Sequence, residues 1–328
     1  MRLSRVLALG ASTLVLVGAC STGGGSSSAP AASPGASAPA ATSAAPSAPP
    51  PPTIKIGSVG FDEARVMAEL YAQVLEAHGY TVNRDGIGLG DRKVLLPALE
   101  SGQIDLQPEY IGSGLAAGYG GTSTNDPAKN KTDLQAALDA KGVGITVLDY
   151  TPAVDTNALV VRKDTADQDS LTKWSDLAAV QDKLKWGLAE DCPTNPVCSG
   201  ALKDQYGVDT TKIDVTLLGA CTTPMSDALK AKTIDVAELC STDPLIITEN
   251  WVRLEDDKHT QPADNISPLV RNDYLAKVDK EAFSKILNDV SAKVDTPTLA
   301  DLYKQVAVDK KDAKDVAATW LKANGFVQ

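Results

Sequence analysis

The chain has 328 residues and carries 31 Lys and Arg against 42 Asp and Glu, which gives a formal charge of −11 at pH 7. This acidic excess argues against binding to nucleic acid, which requires a concentrated basic face. It also argues against electrostatic attachment to anionic lipid. Acidic runs such as residues 255–257 are interpreted as solvated surface.

The first 19 residues have the organisation of a signal peptide. A short basic start precedes an apolar run over residues 6–17, and that run is shorter than the roughly 20 apolar residues of a membrane-spanning helix. Small residues then lead to Cys20, and the pattern L-V-G-A-C resembles the bacterial lipobox, in which this cysteine is lipidated. A lipid on Cys20 anchors a chain to a membrane without a spanning helix. A cysteine that follows a signal peptide by chance is the alternative.

Residues 20–52 consist, after the cysteine, almost wholly of Ser, Ala, Gly and Pro. Such a segment has too little hydrophobic surface to offset the entropy of ordering, so it is predicted to be a disordered tether. About 275 residues remain from Thr53 onward, which is more than a single domain usually holds. The sequence therefore favours two folded units.

The folded part begins with a β-α-β pattern. Residues 53–57 are typical of a strand, and Val66, Leu70 and Val74 follow at helical spacing. Gly79 is a natural helix end, and residues 80–82 are typical of a second strand. This order predicts an α/β fold with a mostly parallel sheet covered by helices.

A short internal repeat, A-L-x4-I-D, occurs at residues 98–105 and again at 228–235. Each copy is interpreted as a helix end, a turn and a strand that starts at the Ile-Asp pair. Tyr110 and Cys240 follow at the same offset, as do Ser113 and Asp243. Because ligands bind beyond the carboxyl ends of parallel strands, the segments around Tyr110 and Cys240 are expected to face each other across a cleft. Coincidence is the alternative, since the pattern is undemanding.

Two later apolar stretches, residues 157–161 and 266–270, are predicted to be strands that cross between the two units. The stretch from residue 280 to 318 is predicted to be helical and to complete the first unit.

Four cysteines remain once Cys20 is set aside, and in an oxidising compartment an even number favours disulfides. Three pairings are possible. Cys192 with Cys198 closes a plausible small loop, which leaves Cys221 with Cys240. A zinc site is the alternative, although the chain has no C-x-x-C pair.

Several segments resemble, in order along the folded region, the glycine betaine, carnitine and choline (quaternary-ammonium) family of ABC importer binding proteins. The P-E-Y-I-G-S-G segment is the most specific of them. The matching segments are residues 54–58 (I-K-I-G-S, with Phe61 and Glu63 after it), 69–76 (E-L-Y-A-Q-V-L-E), 97–105 (P-A-L-E-S-G-Q-I-D), 108–114 (P-E-Y-I-G-S-G), 254–259 (L-E-D-D-K-H) and 268–273 (P-L-V-R-N-D).

The resemblance implies a two-lobed, type II periplasmic-binding-protein-like fold with two crossover strands and a central ligand cleft. Lobe 1 is expected to comprise residues 53–156 and 263–328, and lobe 2 residues 157–262. A monomer of this kind captures a small solute by hinge closure and delivers it to a transmembrane permease with its ATPase. It is implied to be extracytoplasmic, with no cofactor, no metal and no catalytic residue.

The resemblance also implies ligand-binding positions, because the family holds a quaternary ammonium head in a cage of aromatic rings. Tyr110 matches a cage tyrosine, and Ser113 matches a position in the same loop that tunes ligand choice. The chain departs from the family at Asn157, Ser226 and Cys240, where aromatic residues are common. The candidate ligand-binding residues are Phe61, Tyr110, Ser113, Asp155, Asn157, Ser226 and Asp243.

These departures leave alternatives for individual residues and for the solute. One alternative is that Tyr110 is a capping ring on the sheet edge and not part of the binding cage. Phe61, Tyr150 and Trp251 either compensate for the lost rings or belong to the core. Asp155 and Asp243 either contact the solute or serve as helix caps and hinge anchors. A polar site of this kind suits a hydroxylated solute such as a polyol or sugar, an amine, or a less methylated cation.

Two other function classes are alternatives. Residues 170–173 match the S-x-x-K motif of penicillin-recognising enzymes, but they stand without S-D-N or K-T-G partners, and a helix entry explains them better. Two histidines are too few for a histidine-rich metal site. A ligand-sensing lipoprotein that shares the fold without feeding a permease is the second alternative, since a fold does not fix a function.

Overall fold

The computed structural model describes residues 50–219 and 221–328. The expected signal peptide, Cys20 and the tether up to residue 49 lie outside the described residues. In the described part of the chain, no helix is both long enough and apolar enough to cross a bilayer.

In the described part of the chain, ten strands form two separate five-stranded sheets. Along the chain they are β1 (Ile54–Val59), β2 (Val82–Gly90), β3 (Leu106–Tyr110), β4 (Ile145–Val147), β5 (Asn157–Val161), β6 (Lys185–Ala189), β7 (Asp214–Leu218), β8 (Val236–Cys240), β9 (Val252–Arg253) and β10 (Ile266–Arg271). The first sheet has the order β2-β1-β3-β10-β4 and the second the order β7-β6-β8-β5-β9. The predicted α/β class is confirmed.

Twelve helices among residues 50–219 and 221–328 surround these sheets. They are α1 (Asp62–Ala77), α2 (Arg92–Ser101), α3 (Ile111–Ser113), α4 (Pro127–Lys141), α5 (Lys163–Asp169), α6 (Ala201–Asp204), α7 (Thr223–Lys230), α8 (Pro244–Thr248), α9 (Asn272–Leu275), α10 (Lys280–Ser291), α11 (Thr296–Ala307) and α12 (Ala313–Ala323). Short 3₁₀ or π turns span Gly114–Gly118, Trp174–Ala179, Gln181–Lys183, Cys192–Thr194 and Pro196–Gly200.

The two sheets share one plan. In each, three strands run parallel, β2-β1-β3 in the first and β7-β6-β8 in the second. The fourth strand in the order, β10 or β5, pairs antiparallel with both of its neighbours. These two strands are the predicted crossover strands, so each sheet is completed by a strand that lies next to a connection to the other sheet.

The internal repeat is the same structural unit in both sheets. The backbone N–H of Asp105 donates to Lys55 and that of Asp235 donates to Lys185, each at 2.7 Å. Each aspartate carboxylate also accepts a hydrogen bond from the same lysine N–H, at 3.0 and 3.1 Å. The repeat thus locks a helix–turn segment to the start of a neighbouring strand. The strands begin two residues later than predicted, at Leu106 and Val236.

The second strand also differs from its prediction. It begins at Val82 rather than residue 80 and extends to Gly90 through a glycine-rich stretch. A Cβ at Gly86 would lie 2.8 Å from the carbonyl oxygen of Ile56, so the close approach of β1 and β2 requires glycine there.

The apolar positions predicted from periodicity form the core. Val66, Leu70 and Val74 of α1 are fully buried, and α10, α11 and α12 pack against this helix, as the predicted C-terminal helices should. The second sheet has a buried cluster on each face, and β5 contributes Leu159 and Val161 to one and Ala158 and Val160 to the other. A strand covered on both faces is continuously apolar, which explains its sequence.

Candidate functional site

A cavity of about 590 Å³ lies between the two sheets. The first sheet contributes residues that flank β1 and β3, including Phe61 and Tyr110, and the second contributes Cys240 at the end of β8. The segments that connect the sheets contribute Asp155 and Asp264. The carboxyl ends of β3 and β8 therefore meet at one cavity, as the repeat predicted.

The two connecting segments are paired with each other. Val154 forms an antiparallel bridge with Asn265, and the N–H of Asp155 donates to the carbonyl oxygen of Asp264 at 3.1 Å. Asp155 and Asp264 each lie two residues before a crossover strand, β5 and β10 respectively. Because these positions are equivalent, the pairing brings the two carboxylates to the same cavity.

The pairing of Val154–Asp155 with Asp264–Asn265 is called the crossing below. A third segment connects the crossing to the second sheet. Ser241, which directly follows β8, donates its backbone N–H to Thr156 at 2.8 Å and its hydroxyl to Val154 at 3.0 Å. Its hydroxyl oxygen in turn accepts the N–H of Thr156 at 3.0 Å. These bonds hold the cavity wall at the point where the chain passes between the sheets.

Phe61 and Tyr110 supply the aromatic surface of the cavity. Their ring centroids are 5.6 Å apart with the planes tilted by 42°. Phe61 directly precedes α1 and 46% of its surface is exposed, whereas Tyr110 is only 4% exposed. Among the described residues that line the cavity, these are the two rings.

Behind Tyr110 lies the buried carboxyl group of Glu63, in the first turn of α1. The Tyr110 hydroxyl donates to Glu63 Oε1 at 2.6 Å, and Oε2 has no hydrogen-bond partner among the described residues. Burial raises the pKa of Glu63 to about 7, against the lowering effect of the Tyr110 hydrogen bond. Burial and the nearby Glu63 charge also raise the pKa of Tyr110 well above its ordinary value.

Asp264 is held by α3, the short helix that directly follows β3. Its Oδ1 accepts the backbone N–H groups of Gly112 and Ser113, both at 2.9 Å, and its Oδ2 accepts the Ser113 hydroxyl. A Cβ at Gly112 would lie 2.7 Å from the carbonyl oxygen of Ala263, so the approach requires glycine. Burial raises the pKa of Asp264 to about 6, although the Ser113 hydrogen bonds and the Arg92 charge oppose the shift.

Asp155 lies close to the Glu63 carboxyl group. Its Oδ1 accepts the hydroxyl of the fully buried Thr242 at 2.8 Å. Burial, reinforced by the negative charge of Glu63, raises the pKa of Asp155 well above its ordinary value. In the described part of the chain, no Lys, Arg or His nitrogen lies within 4.0 Å of the carboxylate of Asp155 or of Asp264.

Among the described residues that line the cavity, one is cationic, Arg92 at the start of α2. Its charge is balanced by Glu109, which is 2% exposed. Glu109 Oε1 accepts hydrogen bonds from Arg92 Nη2 at 2.9 Å and from Arg92 Nε at 3.2 Å. Glu109 is further held by Gln107 and by the N–H of Tyr110. The Arg92–Glu109 pair therefore leaves Asp155 and Asp264 without a cationic partner within 4.0 Å among the described residues.

On the second sheet, Asn157 is oriented by Glu238. Asn157 Nδ2 donates to Glu238 Oε1 at 3.0 Å, and the N–H of Ala189 donates to Oε2 at 2.8 Å. Glu238 is 4% exposed, and this burial raises its pKa. The buried carboxyl thus joins β5, β6 and β8 behind the cavity wall.

Two disulfides, Cys192–Cys198 and Cys221–Cys240, have the expected pairing. The first closes the loop that brings Asn195 and Val197 to the cavity, and the second includes Cys240 on the wall itself. The sulfurs of the first lie within 4.8 Å of the Glu238 carboxylate. Since the sulfurs are bonded to each other, they are not thiolates, and this group does not form the zinc site considered as the alternative.

The structure brings five of the seven predicted ligand-binding residues to the cavity and leaves two away from its wall. Those on the wall are Phe61, Tyr110, Ser113, Asp155 and Asn157. Ser226 is buried in α7, where its hydroxyl lies 3.3 Å from Asp243 Oδ2. Asp243 caps α8 by accepting the N–H of Leu245 at 2.9 Å, which is the helix-cap role considered for it. Asp243 was expected from the repeat and Ser226 from the family resemblance, and the structure places Ser226 in α7 and Asp243 at the start of α8, outside the residues that line this cavity.

Among the charged residues at the site, Glu63, Arg92, Asp191 and Asp264 were not predicted as candidates. Glu63 was present in a family-like segment, and Asp264 has the same position before its crossover strand as Asp155. That equivalence is visible in the sequence once both crossover strands are assigned. Tyr150 and Trp251 do not line the cavity. Both pack with the hydrophobic clusters, as core residues do.

Comparisons with known proteins agree with this architecture. The sequence profile of the substrate-binding domain of the ABC-type glycine betaine transport system matches residues 52–323. The chain is 30% identical over 289 residues to the glycine betaine-binding protein YehZ of Escherichia coli, covering 84% of this chain and 92% of that protein. It is 26% identical over 279 residues to a glycine-betaine-binding protein of Pseudomonas aeruginosa, covering 82% and 87% of the two chains. A crystal structure described as a glycine betaine/carnitine/choline ABC transporter superposes with a TM-score of 0.73 at 23% identity, over 83% of this chain and 99% of the other.

Proposed function

Because the chain belongs to the family of substrate-binding domains of ABC-type glycine betaine transport systems, we propose that it is the extracytoplasmic solute-binding component of an ABC importer. It captures a small solute between its two sheets and delivers it to a transmembrane permease that works with an ATPase. The proposal involves binding and release alone, so it assigns no catalytic residue and no cofactor.

The observation that carries the proposal is the cavity of about 590 Å³ with walls from both sheets. A solute in it touches Tyr110 on one side and Cys240 or Asn157 on the other. A ligand that contacts both sides stabilises the arrangement in which the sides are close, and so favours closure. The permease then recognises the closed form.

We propose the lobe boundaries that the sequence suggested, with residues 53–156 and 263–328 in one lobe and 157–262 in the other. In support, every strand of the first sheet lies in the first set and every strand of the second sheet in the second. The hinge is then the paired crossing of Val154–Asp155 with Asp264–Asn265, braced by Ser241.

Relatives named for glycine betaine suggest an osmoprotectant or a quaternary-amine-like solute. The Phe61–Tyr110 pair offers ring faces for such a head group. The rest of the wall favours a second candidate, a polar solute such as a polyol, a sugar or an amine. The observation behind it is the amide and hydroxyl lining, which includes Ser123, Asn195 and Gln261.

We further propose that Cys20 is lipidated and that residues 20–52 tether a monomeric binding domain to the outer face of the cell membrane. The support is the signal-peptide pattern, the L-V-G-A-C sequence and the Ser, Ala, Gly and Pro composition. Mass spectrometry of the protein from its native membrane tests the modification at Cys20.

Thermal unfolding of the purified protein against a solute panel tests the function. The panel holds glycine betaine, choline, carnitine, ergothioneine, polyamines, sugars and polyols. A solute that binds only the native state raises its stability by roughly 2.7 kcal/mol at about 100 times its dissociation constant. A shift with betaine or choline supports the first candidate, and a shift confined to polyols, sugars or amines supports the second. If no solute stabilises the protein, and it does not associate with a permease, the proposal fails.

A further inference from the structure

The carboxylates of the cavity bear on which solutes it accepts. Its charged lining consists of Arg92 and of three aspartates, Asp155, Asp191 and Asp264. Arg92 is already paired with the buried Glu109. Asp155 and Asp264, which face the cavity from the paired crossing, have no cationic partner within 4.0 Å among the described residues. A positively charged solute that donates hydrogen bonds stabilises the ionised form of these two carboxyl groups, which their burial otherwise disfavours.

Resting on the function proposed above, we infer that the preferred solute is an organic cation that carries at least one N–H, an incompletely methylated amine, rather than a quaternary ammonium ion. The N–H groups donate to Asp155 and Asp264, while the Phe61 and Tyr110 rings cover the alkyl part of the head group.

The first argument is the distribution of aromatic surface. A quaternary head cannot donate hydrogen bonds, so its affinity depends on ring faces around it. Here the two rings that line the cavity lie side by side on the first-sheet wall, with centroids 5.6 Å apart. The opposite wall presents Asp191, Asn195, Val197 and Cys240, which include no ring. The methyl groups of a quaternary head that point toward this opposite wall therefore make no cation–π contact there.

The second argument is unused acceptor capacity. A carboxylate accepts about four hydrogen bonds. Among the described residues, the Asp155 carboxylate accepts one hydrogen bond, from the Thr242 hydroxyl. Asp264 accepts three, two at Oδ1 and one at Oδ2, so each carboxylate has capacity left. A solute N–H can bond the remaining lone pairs, whereas an N-methyl group removes those carboxylates from water without replacing the lost hydrogen bonds.

The test is a pair of methylation series, measured by isothermal titration calorimetry at neutral pH on the purified protein. One series is ethanolamine, its mono- and dimethyl derivatives, and choline. The other is glycine, sarcosine, dimethylglycine and glycine betaine, whose carboxylate can reach Arg92. In whichever series binds, we expect the quaternary compound to bind with an affinity at least about tenfold lower than that of the dimethyl compound.

A matched pair of variants identifies the groups responsible. Asp155→Asn keeps an oxygen that accepts from Thr242 but removes the charge, and it should bring the dimethyl-to-quaternary affinity ratio close to one. Asp264→Asn is the second variant, should the first fail to fold by thermal unfolding. Asp289→Asn, on the exposed face of α10, is the control and should leave the ratio unchanged.

The outcomes separate this inference from the proposed function. Equal or tighter binding of choline or glycine betaine overturns the inference and leaves solute capture intact. Binding of sugars or polyols, without binding of any member of the two methylation series, also overturns the inference and leaves solute capture intact. If nothing in the wider panel binds, the proposed function itself fails, and the inference fails with it.

Discussion

The hydroxyl of Tyr110 donates a hydrogen bond to Glu63 at 2.6 Å, which joins the end of β3 to the first turn of α1 beneath the cavity. One face of the ring therefore belongs to the cavity, and its polar end is anchored in the protein interior. Tyr110 is consequently set in place before any solute arrives, which lowers the entropy cost of binding.

This anchoring separates the roles of the ring and of its hydroxyl. Tyr110→Ala removes the ring face and should weaken solute binding by more than about tenfold. Tyr110→Phe keeps the ring and should change affinity by less than about threefold. Calorimetry with the tightest solute of the panel measures both, after thermal unfolding has shown that each variant is folded. Unchanged affinity in Tyr110→Ala would place the solute elsewhere.

The raised pKa of Glu63 predicts a pH-dependent stability. Its ordinary value of 4.5 applies to the unfolded chain and about 7 to the folded one. Between these values the folded state holds a proton that the unfolded state has lost, so the free energy of unfolding falls as pH rises. For Glu63 alone the loss amounts to about 3 kcal/mol, and it is complete above pH 7.

Replacing this carboxyl group tests that linkage. Glu63→Gln should reduce the loss of stability between pH 4.5 and 7, because its amide does not ionise. Urea unfolding across that range measures the difference, with the exposed Glu281→Gln as the matched control. Equal slopes in the wild-type protein and Glu63→Gln would show that the Glu63 carboxyl is not the group that titrates.

The Cys192–Cys198 disulfide should contribute to binding as well as to stability. Its two cysteines are six residues apart in sequence. By restricting the unfolded chain, the disulfide raises the free energy of unfolding by about 2 kcal/mol. Since the loop carries Asn195 and Val197 on the cavity wall, the Cys192→Ser/Cys198→Ser double variant should also bind solute more weakly. Denaturant midpoints and calorimetry give the two effects separately. Loss of stability without loss of affinity would restrict the disulfide to a structural role.

Glycines of the first sheet provide a graded test of its packing. Gly86→Ala places a Cβ 2.8 Å from the backbone oxygen of Ile56, whereas Gly57→Ala meets first the mobile end of Ile104 at 2.6 Å. Backbone cannot move aside as a side chain can, so Gly86→Ala should be the more destabilising, within a range of about 1–3 kcal/mol. Gly60→Ala, whose nearest neighbour is 3.9 Å away, is the control. The reverse order in thermal unfolding would contradict this account of the β1–β2 contact.

Much of the fold was predictable because periodicity and the repeat report directly on burial. Residues 157–161 and 266–270 are apolar on both faces, and both are crossover strands. The extent of β2 was not predictable, because Asn83, Asp85 and three glycines are typical of a turn. Contact with β1 overrides that local preference, and a single sequence does not report such contacts.

The candidate site was predictable where it depends on strand ends and unpredictable where it depends on packing between segments. The place of Tyr110 was expected from the repeat and from the family resemblance, and that of Asn157 from the resemblance. Glu63 occupies the first turn of a helix, where an acidic residue is ordinarily explained by the helix dipole. Its proximity to Tyr110 and Asp155 appears only once α1, β3 and the crossing are placed together.

The position of β10 in the first sheet has a consequence for how the chain acquires its structure. This strand lies between β3 and β4, although the whole of the second sheet separates it from them in sequence. The second sheet is built from one continuous stretch and can assemble as soon as that stretch is available. The first sheet must wait for its fourth strand, and a long loop has to close before that strand can pair. We therefore expect the second sheet to fold first, and completion of the first sheet by β10 to be the later and slower step.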